Sequence, residues 1–142
     1  MSEIVLDAFA NCRGITDVYF YGTRSQWKEI IIDEGNEYLT KAKIHFMYPG
    51  TPKNVKTVAS SASIQLSWNK ADDADGYAVF QYTANGWKRV KTITSTSTTS
   101  YKVKKLDSDT KYKFRIKAYN KANGNTFWGV ATPTITAKTL TK

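Results

Sequence analysis

Reactive side chains are scarce in this chain. It holds one cysteine, Cys12, and one histidine, His45, among 142 residues. A lone thiol closes no internal disulfide. Together the two leave little material for a metal centre or a nucleophilic triad. No run of about 18 apolar residues exists, so the sequence encodes no membrane-crossing helix. Met1-Ser2-Glu3 leads straight into a patterned segment. Neither a basic n-region nor an apolar h-region precedes it, so no secretory signal is expected within this chain. Proline is rare at three residues, and two of these, Pro49 and Pro52, flank Gly50.

What the chain has in plenty is aromatics: nine Tyr, four Trp and six Phe. Such residues suit the half-buried, pleated surface of strands. Charge is divided unevenly. Residues 1–50 carry five Lys/Arg and seven Asp/Glu, whereas residues 51–142 carry sixteen and five. The step coincides with Tyr48-Pro49-Gly50-Thr51-Pro52, a stretch hostile to helix and central strand. We therefore expect two units, 1–48 and 53–142, joined by a stiff hinge at 49–52.

In the second unit, short runs of strand character alternate with turn signals. Ser63 to Trp68 places Ile64, Leu66 and Trp68 on one face. Tyr77 to Tyr82 and Trp87 to Thr94 flank Asn85-Gly86, a strong hairpin signal. Lys111 to Tyr119 alternates Tyr112, Phe114, Ile116 and Ala118 with Lys111, Lys113, Arg115 and Lys117. With Asn54 to Ala59, Tyr101 to Val103 and Thr134 to Leu140, these make seven strands, the pattern of a two-sheet sandwich. The segment resembles the fibronectin type III family at Pro52 to Val55, Leu66-Ser67-Trp68, Gly76-Tyr77-Ala78-Val79 and Leu106 to Tyr112. The resemblance implies an immunoglobulin-like seven-stranded β-sandwich in which Trp68, Tyr77, Leu106 and Tyr112 are structural. Tyr112 would form the tyrosine corner, its phenol tied to upstream backbone. Ser108 stands where the family often has proline, which removes stiffness but not the motif.

The first unit spaces apolar residues at Phe9, Cys12, Ile15, Val18 and Phe20. That spacing resembles a leucine-rich repeat of the BspA-like type found on bacterial surfaces, in which inward residues of successive coils stack. Gly22 to Ile30 resembles the end-cap of such arrays. Thr23 and Gln26 have capping-box spacing and predict a short helix. Asn36 is expected to cap a second turn, and Lys43 to Met47 to form a last strand. The resemblance implies a short α+β end-cap preceding the sandwich. A solenoid needs about three repeats to bury a core. The single repeat is therefore read as the tail of a longer array, with an uncovered edge prone to fray or to self-associate weakly.

No catalytic residue, metal site or cofactor is expected. Near His45 no nucleophile and orienting carboxylate occur together, so it reads as structural or solvent-facing. Cys12 reads as a small buried thiol. Asp72, Asp73 and Asp75 before Gly76 lack the twelve-residue calcium-loop pattern and read as a solvated turn. Thr94 to Ser100 reads as a solvated loop, although O-glycans are the alternative. Phe127 and Trp128, placed in a long connection, either stack on a sugar or cover the sandwich end. The candidate binding surface is Phe80, Tyr82, Lys113, Arg115, Lys117 and Trp128. It suits an anionic polymer, with plain solubility as the rival.

Taken together, the two resemblances imply a non-enzymatic adhesion or spacer module of a larger extracellular bacterial protein, expected to bind an unidentified protein or a cell-wall or host glycan. The alternatives are an ancillary domain of a secreted carbohydrate-active enzyme, or a polyanion-binding module using the basic face.

Overall fold

The computed structural model describes residues 3–4, 14–32 and 36–142. Phe9 and Cys12 lie outside the described residues, as does most of the expected first coil.

The N-terminal region is built from paired parallel strands and short helices: β1 (Glu3–Ile4), β2 (Asp17–Phe20), α1 (Arg24–Lys28), β3 (Ile31–Ile32), α2 (Glu37–Lys41) and β4 (Lys43–Phe46). β1 pairs with β3 and β2 with β4, both in parallel. The α1 helix starts where the capping box predicts. The Thr23 hydroxyl accepts from the Gln26 N–H, and the Gln26 side chain accepts from the Thr23 N–H. Asn36 occupies the N-cap position of α2 but makes no side-chain capping bond there.

Eight strands follow among the described residues: β5 (Lys53–Ala59), β6 (Ile64–Asn69), β7 (Gly76–Thr83), β8 (Gly86–Ile93), β9 (Ser100–Val103), β10 (Lys111–Ala122), β11 (Asn125–Trp128) and β12 (Ile135–Lys138). They form two sheets. The smaller runs β5-β6-β9; the larger runs β11-β10-β7-β8, with β12 also paired to β10. All seven expected strands are present.

β11 is the difference, because Phe127 and Trp128 lie in a strand and not in a connection. Asn123 and Gly124 both have positive φ, 52° and 78°. That is the two-residue hairpin turn that asparagine-glycine pairs favour. It carries β10 past Tyr119 and folds β11 back on it, from Ala122–Asn125 to Tyr119–Trp128.

The core lies between the sheets. Ile64, Leu66, Tyr77, Val79, Phe114 and Ile116 are fully buried, with Trp68 beside them. Each comes from the alternate positions that the sequence marks as inward. Tyr77 keeps its hydroxyl satisfied, accepting from the Ala71 N–H at 3.1 Å and donating to the Thr96 carbonyl at 3.0 Å. The Trp68 ring packs edge-on against Tyr77, but its buried Nε1 has no protein partner. Leu106 packs against the core, and its N–H donates to the Ala62 carbonyl. The Tyr112 phenol accepts from the Asp107 N–H at 2.8 Å. The corner is therefore closed by a backbone donor upstream of the tyrosine.

Residues 49–52, read as a hinge, are packed. Pro49 and Pro52 are buried. The Gly50 N–H donates to the Asp72 carbonyl, and the Thr51 hydroxyl to the Val130 carbonyl. Gly129 admits this junction, since a Cβ there would sit 2.9 Å from the Pro49 carbonyl oxygen.

Candidate functional site: a face of cations and rings

The outer face of the larger sheet gathers most of the expected surface residues. Register decides which. Phe80 on the middle strand β7 lies opposite Arg115 of β10 on one side and Arg89 of β8 on the other. Tyr82 lies opposite Trp87, Lys117 opposite Ala78, and Trp128 opposite Tyr119. Counted from the turn, Thr83 pairs with Gly86, Tyr82 with Trp87 and Phe80 with Arg89, which puts Trp87 and Arg89 on the face of Phe80. The register shift between Phe80 and Val79 lies beyond them and turns Ile93 inward opposite Tyr77.

The rings interlock. Phe80 meets Trp128 edge-on, Trp128 meets Tyr119, and Tyr82 meets Trp87, at centroid distances of 6.5, 5.5 and 5.2 Å. Cations lie on them. The Arg115 guanidinium is 4.5 Å from the Trp87 ring and 5.7 Å from Phe80. Arg89 covers Trp128 at 5.2 Å, Lys117 covers Phe80 at 5.6 Å, and Lys121 covers Tyr119 at 5.8 Å. Such contacts hold a cation in place while leaving its charge uncancelled. Ala78, outward by alternation, is nonetheless fully buried.

Of the six expected residues, Phe80, Arg115, Lys117 and Trp128 therefore belong to one interlocked cluster. Tyr82 joins through Trp87 and remains half exposed. Lys113, exposed, pairs in register with Thr136 of β12 at the edge of the cluster. Trp87, Arg89 and Tyr119 also belong and were not expected. Trp87 and Arg89 could have been placed from the hairpin at Asn85-Gly86 alone, since their pairing runs unshifted from the turn. Tyr119 is buried, and its phenol, pushed up by that burial, donates to the Ile93 carbonyl across Gly76.

At the end of the sandwich nearest the N-terminal region, a second group of polar and aromatic residues meets. Arg24 forms a two-pronged contact with Asp73, Nη2 to Oδ1 at 2.9 Å and Nε to Oδ2 at 3.2 Å. Asn120 donates to the carbonyls of Phe46 and Met47. Phe127 packs between Tyr21 and Tyr48. His45 stacks on Tyr19 at 4.5 Å and bonds Asp17 at 2.7 Å. The hydrogen bond from His45, followed by that from Thr16, holds the Asp17 carboxyl below its ordinary range. No group of three or more potential metal-ligating side chains occurs among the described residues. No helix there is long and apolar enough to cross a membrane.

The two-sheet sandwich, β5-β6-β9 against β11-β10-β7-β8, with its tyrosine corner defines an immunoglobulin-like module. Its family follows from the sequence match: the fibronectin type III domain model covers residues 50–134, and the chain belongs to that family. A stretch of 81 residues is 38% identical to an α-amylase of Niallia circulans, covering 54% of this chain and 6% of the amylase. Another of 64 residues is 38% identical to smooth-muscle myosin light chain kinase of Gallus gallus, covering 42% of this chain and 3% of the kinase. The solved fibronectin type III domain of human contactin 1 superposes with a TM-score of 0.54 at 23% identity. That superposition covers 64% of this chain and 77% of the contactin domain.

Proposed function

We propose that this chain is a non-catalytic adhesion and spacer module of a larger extracellular bacterial protein. One observation carries the reading. The similar segment is a small fraction of two large proteins of different kinds, an amylase and a kinase. A unit that recurs beside unrelated chemistries contributes placement or contact, not the chemistry itself. Fibronectin type III domains are commonly non-catalytic modules and commonly extracellular.

We extend the reading to the N-terminal region as the end of a BspA-like leucine-rich-repeat array. Its support is the pairing of Glu3 with Ile31 and of Asp17 with Lys43, two parallel ladders at offsets of about 26 to 28 residues, as when one coil lies on the next. The division into 1–48, 49–52 and 53–142 has support from the sandwich core, whose members all lie beyond residue 54. A second reading, an ancillary domain of a secreted carbohydrate-active enzyme, is favoured by the amylase similarity.

The test incubates the chain with wall polysaccharides, host glycans and extracellular-matrix proteins. Retention without turnover is the expected result. Release of reducing sugar by the chain alone would overturn the non-catalytic reading.

A further inference from the structure

We infer that the outer face of the β8-β7-β10-β11 sheet binds a linear acidic polysaccharide through fixed cations, without ring stacking. This deepens the extracellular module reading and rests on it for the choice of a glycan.

Charge segregation comes first. The four strands contain eight Lys/Arg and no Asp or Glu. The five acids of residues 51–142 lie elsewhere. Asp72, Asp73 and Asp75 precede β7, and Asp107 and Asp109 precede β10. Two of them already hold cations from outside these strands: Asp73 holds Arg24, and Asp109 holds Lys138 at 2.6 Å. Asp75 accepts from the Lys121 N–H and so limits the positive field at the junction end. The field is centred on Lys113, Arg115, Lys117 and Arg89. With no carboxylate among them, their charge is open to a ligand.

Preorganisation comes second. Rings, not acids, hold Arg89, Arg115 and Lys117 in place. Their side-chain entropy is thus partly lost before binding, which lowers its cost to the complex. Alternate residues along β10 stand about 7 Å apart, and Arg89 lies two strand spacings, about 9.5 Å, from Arg115. Cations rooted at these backbone intervals and spread across the four strands fit an extended polymer that bears repeated anionic groups.

The covered rings discriminate among polyanions. Single-stranded nucleic acid and neutral sugars gain much of their affinity for aromatic sheets by stacking on open ring faces. Here cations lie over Trp87, Trp128, Phe80 and Tyr119. Tyr82, half exposed at the β7–β8 turn, is the one ring of the cluster without a cation over it, so what remains for a ligand is mainly charge.

The test uses the full chain, a heparin fragment as probe, a single-stranded oligonucleotide of equal charge, and a neutral glucan, titrated from 50 to 300 mM salt. Heparin is expected to bind at least tenfold more tightly than the oligonucleotide, and the glucan not at all. Lys113→Gln/Lys117→Gln/Lys121→Gln should lower heparin affinity at least tenfold near 0.1 M salt. It should also reduce the salt slope by about one per cation removed. Lys56→Gln/Lys102→Gln/Lys104→Gln, an equal charge change at the other sheet, should alter affinity less than threefold. Trp87→Leu, which removes the nearer of the two rings that hold Arg115 without changing charge, should weaken binding several-fold with an unchanged slope. Each variant is checked for an unchanged circular dichroism spectrum and melting temperature. Equal loss in the two triple variants, oligonucleotide binding as tight as heparin, or no heparin binding overturns the inference. None of these results touches the non-catalytic reading, which fails only if the chain turns over a substrate.

Discussion

Trp68 offers a sharp test of how the sandwich core is held, because two terms of opposite sign meet in one side chain. The indole is buried to 4% exposure against Tyr77, yet its Nε1 has no protein acceptor. A buried Trp removes about 200–250 Å² from water. At about 25 cal/mol per Å², and allowing for a denatured chain already partly collapsed, that is worth about 4–5 kcal/mol. The stranded N–H subtracts about 1–3 kcal/mol. The difference is about 1–4 kcal/mol, and the cavity left by an indole adds to it, so Trp68→Ala should cost about 3–4 kcal/mol, within the usual range for a large aromatic deleted from a core. Trp68→Phe forfeits roughly a third of the area, about 2 kcal/mol, while removing the unpaired donor. It should therefore fall within about 1 kcal/mol of wild type, a melting shift of no more than about 4–8 °C. Guanidinium denaturation followed by far-ultraviolet circular dichroism reads both variants. A cost of 2 kcal/mol or more for Trp68→Phe would refute the reasoning, because it would mean that Nε1 is satisfied in solution.

Three further outcomes are expected. Tyr112→Phe should cost about 1 kcal/mol by denaturant midpoint, at the low end for a lost hydrogen bond, since the Asp107 N–H it strands lies at an exposed turn; a midpoint equal to wild type would remove the corner's energetic role. Gly76→Ala should destabilise by at least about 2 kcal/mol, because the added Cβ would meet the Ile93 carbonyl and the Tyr119 phenol; a thermal midpoint unchanged from wild type would show that β7 and β8 can part there without loss. Asp17 stabilises the β2–β4 ladder above the ordinary carboxyl value of 3.8, and this contribution is lost as pH falls below that value through the depressed one; carboxyl NMR should show the Asp17 midpoint rising towards 3.8 in His45→Ala, and no movement would mean that the pair does not persist in water.

The strands were legible in the sequence wherever alternation ran for six residues or more. Ile64-Leu66-Trp68 and Tyr112-Phe114-Ile116-Ala118 announce their buried face because the side-chain period of a strand is two. The larger sheet's outer face was legible only in part. Lys113, Arg115 and Lys117 declare themselves along one strand, but what lies beside them depends on pairing between strands. The register shift beyond Arg89 turns Ile93 inward opposite Tyr77, and no local pattern marks it. β11 escaped notice because Asn125-Thr126-Phe127-Trp128 lacks the apolar-polar alternation that the equally short Tyr101-Lys102-Val103 shows, although Asn123-Gly124 bears the same hairpin chemistry as Asn85-Gly86. The contacts of the junction were invisible for a different reason. Arg24 and Asp73 are 49 positions apart, and Asn120 bonds backbone carbonyls, which every residue possesses.

That junction has a mechanical consequence. When tension is applied to the two ends of the chain, the segment 49–52 lies in the line of force. It is restrained by a few discrete bonds, Gly50 to Asp72, Thr51 to Val130, Asn120 to the Phe46 and Met47 carbonyls, and Arg24 to Asp73, and by the packing of Phe127 between Tyr21 and Tyr48. The sandwich is restrained by whole ladders and a buried core. The weaker set ruptures first and lets the chain lengthen by undocking, before any strand of the sandwich is drawn out. When the load falls, the sandwich side of the junction is still folded and can be docked on again. In a tethered protein, the junction would act as a resettable buffer that spares the module beyond it.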